Sequence, residues 1–171
     1  MIIGVGQYNH RADGLDDALE PVALMEQAVH AAAADAGLDG PPLADSVRVV
    51  NVIGWRYRHA PRFLAQRLGL DDTSIELAES TAGGNSPQSL VNTTAVEILD
   101  GSVDIAILSG AEAFKTFMRA RKQDATLDWA KAADDDLPRY IGKELEMNLP
   151  AERDRGLYMP VQIYPMFETA L

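Results

Sequence analysis

The sequence predicts an α/β protein: a layered fold built on a largely parallel sheet flanked by helices. Three observations predict it. Short runs rich in β-branched residues alternate with stretches whose apolar positions repeat at helical spacing. Gly and Pro punctuate nearly every boundary between the two kinds of segment. The order strand, helix, strand, short helix, strand, helix, strand is the rhythm of βαβ units.

Met1 to Gln7 is a short apolar, Gly-containing run ended by polar YNHRADG, which predicts a buried first strand and a loop. From Pro21, the positions Val22, Met25, Ala28, Val29, Ala32, Ala33 and Ala36 repeat at helical spacing. Pro21 suits a first turn there and Gly37 a C-cap. After the break Gly40-Pro41-Pro42, Ser46 to Ile53 reads as a second strand. Pro61 to Leu68, ending at Gly69, predicts a short helix, and Ser74 to Glu79 a third strand.

Ser80 to Gly101 carries a Gly-rich turn into a helix, with Ser86 as the expected N-cap and Pro87 as the first helical residue. Leu90, Val91, Ala95 and Ile98 form its buried stripe. Val103 to Ser109 predicts a fourth strand. Beyond Ala113 the rhythm fails, and residues 117–171 mix charged and Pro-containing stretches expected to form loops and short helices.

With 171 residues, 47% hydrophobic and 24% charged, the chain can bury a core of its own. Fifteen Lys plus Arg against twenty-six Asp plus Glu give a formal charge of −11, which repels nucleic acid and anionic lipid; neither is an expected partner. No apolar run approaches the ~18 residues of a membrane span, and the N-terminus lacks a basic leader pattern, so a cytoplasmic location is expected. The chain has no cysteine, which excludes disulfides, thiolate metal sites and cysteine nucleophiles.

The Ile-rich opening, the Glu20-Pro21 helix ending Asp35-Ala36-Gly37-Leu38, the turn STAGGNSPQSLVN, the unit ILDGSVDIAILSGAEA and the ARK…LDW pattern together resemble the thiolase superfamily. Within it, the resemblance is to proteins of the acetyl-CoA acetyltransferase and sterol-carrier-protein thiolase type. It covers nearly the whole chain. It implies a thiolase-like layered fold, with residues 1–116 as the N-terminal α/β core and 117–171 as the start of an inserted loop region. It also implies acyl-CoA as substrate, with acyl transfer or carbon–carbon bond chemistry in the complete assembly. No cofactor beyond that CoA or acyl-CoA is implied, and a homo-oligomer or a complementary thiolase-half subunit is the expected partner.

In that family a helix of this kind presents a nucleophilic cysteine in a Cys-x-Ser-Gly turn, a position that falls here on Gly84. Gly84, Asn85 and Ser86 replace Cys, the variable residue and Ser, and Pro87 replaces the glycine. No catalytic residue is therefore carried over. A His and a second Cys from the family's C-terminal half have no counterpart in this chain, which implies a fragment or one split subunit.

The turn Gly83, Gly84, Asn85 and Ser86 remains a candidate substrate site, because a helix N-terminus offers unpaired amides and glycines allow close approach. A plain capped turn explains the same residues. Ser86 as nucleophile would need an adjacent base, and N-capping is the readier account. Lys115, Arg119 and Arg121, with Lys122, form a basic cluster able to grip CoA phosphates or simply to solvate a helix face.

His10, His30 and His59 share no metal-type spacing, and Asp134-Asp135-Asp136 is read as facing solvent, although such a run could also bind a hard cation; no metal site is expected. Gly4 and Gly6 lack the third glycine of a dinucleotide-binding turn.

Overall fold

The computed structural model of the chain describes residues 1–144, 146 and 148–170. Its α/β character matches the expectation, with four parallel strands and helices on both faces. Helix α1 spans Pro21–Asp35, β1 Ser46–Val49, α2 Ala60–Arg67, β2 Glu76–Ser80, α3 Ser86–Leu99 and β3 Ala106–Ser109. Helix α4 (Phe114–Lys122), β4 (Arg139–Ile141), α5 (Pro150–Arg153) and α6 (Pro160–Ala170) follow. The sheet order is β3-β1-β2-β4, so the earliest strand is interior and later strands lie outside it.

Strand β1 is buried on both faces, as befits the interior of a parallel sheet. Val47 and Val49 face α1 and α2, meeting Val22, Met25, Val29 and Leu64 in the main core. Ser46 and Arg48 face α3. That second face has a much smaller apolar cluster, of Ala78, Leu90 and Ile141. Charge fills the remainder: the fully buried Arg48 guanidinium donates to Glu76 at 2.7 Å and to Thr94 at 2.8 Å, and lies against Glu97. Arg139 of β4 bridges the same two glutamates from outside.

Two expectations fail here. Met1 to Gln7 is not a strand; it runs along α1, where a Cβ on Gly4 would meet the Ala32 carbonyl at 2.2 Å and one on Gly6 the Ala28 carbonyl at 2.1 Å. Glycine permits that approach, and the segment gains helix contact instead of sheet pairing. Conversely, Arg139–Ile141, inside the segment read as loops and short helices, pairs parallel to β2. The other strands and helices arise where expected, with the strands shorter: β1 ends at Val49, β2 starts at Glu76 and β3 at Ala106.

Candidate functional site

In open parallel sheets, ligand sites form beyond the carboxyl ends of the strands. Here Asn51, Glu79–Ser80 and Ile141–Gly142 converge at those ends, and the Gly-rich turn follows directly. The Thr81 amide donates to the Ile141 carbonyl at 3.0 Å and the Thr81 hydroxyl to the Lys143 carbonyl at 3.2 Å, which fixes the entry to the turn.

Asn85, not Ser86, is the N-cap residue of α3, and its side chain makes no cap bond. Ser86 is the first helical residue, and its hydroxyl donates to the Thr81 carbonyl at 2.6 Å. This corrects the expected capping role: the side chain turns back and locks the turn rather than satisfying the helix. That hydroxyl is 5% exposed for its residue and already committed, which leaves no free serine nucleophile there.

Among the first-turn amides, Ser86 donates to Gly83 and Pro87 has none to offer, while the Gln88 N–H makes no hydrogen bond among the described residues. Gly84 has no atom within 4 Å of where a Cβ would stand, so the position expected for a nucleophile faces open space.

Glu79, which sequence reasoning passed over, sits at the base of this region. It is 7% exposed and accepts from the Asn51 side-chain Nδ2 at 2.9 Å. Burial pushes its carboxyl above the ordinary range, against the opposing pull of Asn51 and of the Ala60 amide at the start of α2. Tyr140 stands opposite it in the β2–β4 register; burial, and then the Glu79 charge, raise the phenol's pKa. Glu79 can thus carry a proton at higher pH than a solvated carboxylate. The signal available in the sequence was an acidic residue near the end of an apolar strand, four positions before the first glycine of the turn.

The neighbouring α2 N-terminus holds His59, 3% exposed, which accepts from the Arg62 amide at 3.3 Å. Burial, and then the Arg62 charge, lower its pKa. Arg58 beside it adopts φ 72°, a costly conformation for a residue that carries a Cβ, and pairs with Asp134 at 2.7 Å. Asp136 pairs with Arg62, so the acidic run serves as counter-charge for two arginines and is not simply solvated.

The basic cluster is drawn into structural contacts. Arg119 donates to the carbonyls of Ala12, Asp13 and Gly14, and Arg121 lies 5.8 Å from the Phe117 ring centroid. Lys115 lies in the first turn of the same helix. Two cavities of about 600 Å³ and about 270 Å³ flank the N-terminal segment, and neither is lined by the turn Gly83–Ser86 or by these basic residues. Among the described residues no helix is long and apolar enough to cross a membrane.

No protein-family model matches this chain, and neither does any curated protein or solved structure.

Proposed function

We propose that this chain is a thiolase-like protein of the acetyl-CoA acetyltransferase type that holds an acyl-CoA thioester, or the carboxylate derived from it, without forming a covalent intermediate. The observation that carries this reading is the open Gly84 position at the start of α3, beside the unpaired Gln88 amide. An oxyanion or carboxylate there meets the positive end of the helix. Acyl transfer or carbon–carbon chemistry would belong to an assembly that supplies further groups. Ordinary thiolysis needs a thiolate, and the chain has none.

A non-catalytic reading, as an acyl-CoA-binding or assembly subunit, is favoured by one specific feature. The Ser86 hydroxyl, the nearest candidate to replace the missing sulfur, is spent on the Thr81 carbonyl.

Calorimetric titration with acetyl-CoA and free CoA tests the site. Gly84→Val places a branched side chain in the open position without backbone strain, because Gly84 is not in the left-handed region. Acetyl-CoA should bind this variant at least about tenfold more weakly, a loss of ~1.4 kcal/mol. Equal affinity would remove the turn from the site and leave Lys115, Arg119 and Arg121 as the candidates.

A further inference from the structure

We propose that the Arg58 guanidinium is the binding site for the carboxylate of a small-molecule ligand, in the place that Asp134 now fills. Arg58 lies in the connection from β1 to α2, beyond the carboxyl end of β1, the end at which open parallel sheets take up ligands. It leads into α2, whereas the Gly84 turn leads into α3 on the other face of the sheet, so this site and the acyl-CoA site are separate.

Arg48 shows how this fold neutralises a guanidinium for structural purposes. Its side chain is fully buried, Ser46 and Thr94 accept from its Nε and Nη1, and two largely buried glutamates share its charge. Arg58 is held differently at every point. Its side chain is 18% exposed, yet its Nε is buried without a hydrogen-bond partner among the described residues. Its one ion pair among those residues is with Asp134, whose side chain is 79% exposed. Its backbone sits at φ 72°, a conformation that glycine adopts without strain and arginine does not. An open donor and a strained backbone both lower stability, so they are retained for what the guanidinium contacts outside the chain.

A carboxylate fits this head group best. Its two oxygens lie in one plane and take Nε and an Nη donor together, where Asp134 meets Nη2 alone. Arg56, Arg58, Glu79 and Glu144 all stand near enough to Tyr140 for their charges to act on its phenol, and such balanced surroundings suit a singly charged ligand better than a phosphate dianion. Arg56 is exposed and makes no ion pair among the described residues, which leaves it to steer the anion in. Asp134 can give way locally. The residues before it are fastened to the same connection, with Trp55 Nε1 donating to the Ala130 carbonyl at 2.8 Å and the Ala132 amide to the Tyr57 carbonyl at 2.9 Å. Asp134 lies beyond both fastenings.

The chain's two tryptophans, Trp55 and Trp129, pack edge to face at 5.2 Å beside this contact, so their fluorescence reports it. Titration of the full chain with propionate, against chloride at equal ionic strength, should give a saturable change. Asp134→Asn removes the internal competitor and should bind propionate at least about tenfold more tightly, whereas loss of a merely structural ion pair would leave binding unchanged or weaken it. Arg58→Lys keeps the charge without the planar fork and should bind at least about tenfold more weakly than the parent. No saturable change with either the parent or Asp134→Asn, or equal affinity of the two, would overturn the proposal. So would Arg58→Lys binding as tightly as the parent. Inorganic phosphate binding more tightly than propionate would overturn the choice of a carboxylate.

Discussion

Burial acts on Glu79 and Glu76 with opposite net results. For Glu79 desolvation wins and the carboxyl is raised; for Glu76 desolvation is outweighed by hydrogen bonds from Ser46 and Arg139 and by the Arg48 charge, and it is lowered. The stability Glu79 contributes is fully present below its unfolded-state pKa and is lost as pH rises through the raised folded value. Glu76 contributes above its unfolded value and loses that contribution as pH falls through the lowered one. Glu79→Gln keeps the neutral shape, so the variant should melt at or below the parent near pH 4 and above it near pH 8, readable by calorimetry across about that range. A parent-minus-variant difference that stays flat with pH would show that Glu79 titrates as a solvated carboxylate does. Gly84 was legible in the sequence because a glycine turn before a helix is a local signal. Glu79 was not, because its burial is made by α2 and β4, which the chain places around it from either side.

At the scale of elements, α3 differs from α1 and α2 in how it is held. The latter share a continuous apolar core with β1, whereas α3 meets the sheet through a few apolar contacts and the ring of Arg48, Glu76, Glu97 and Arg139. Removing one member of such a ring strands its partners in poorly solvated surroundings. Arg48→Ala should cost about 3–5 kcal/mol in urea unfolding, more than a cavity of alanine size in the small cluster alone would suggest. An unchanged midpoint would mean that Arg139 by itself neutralises both glutamates. The same contrast explains which elements could be read from the sequence. Helices α1, α2 and α3 carry proline starts and apolar periodicity within their own residues. Strand membership is decided by partners: Met1–Gln7 has strand composition but lies on a helix, and Arg139–Ile141 has none of the expected apolar run yet completes the β2 edge.

Across the whole molecule, packing is densest around α1, β1 and α2 and thins toward the C-terminal end. Val22, Met25, Val47, Val49 and Leu64 are essentially inaccessible, while α5 and α6 bury no residue. Amide exchange should follow this gradient, with the slowest protons in α1, β1 and α2 and exchange faster by several orders of magnitude in Pro160–Ala170. Uniform protection up to residue 170 would mean that α6 packs on something this fold does not present. The layered α/β architecture was legible as a whole because local periodicity alternates along most of the chain. The carboxyl-end site was legible only in its glycine turn, since Asn51, Glu79 and Tyr140 come from three separate stretches of sequence.

The interior position of β1 also bears on how the chain is made. It is the first of the four strands to leave the ribosome, and it waits for partners on both sides: β2 arrives about thirty residues later and β3 about sixty. Until Ser109 has emerged, one long edge of a Val-rich strand stands open. The nascent chain is exposed to mispairing along that edge throughout the interval, before the residues that follow β3 are synthesised. Codon changes that slow translation between residues 80 and 106 would lengthen it.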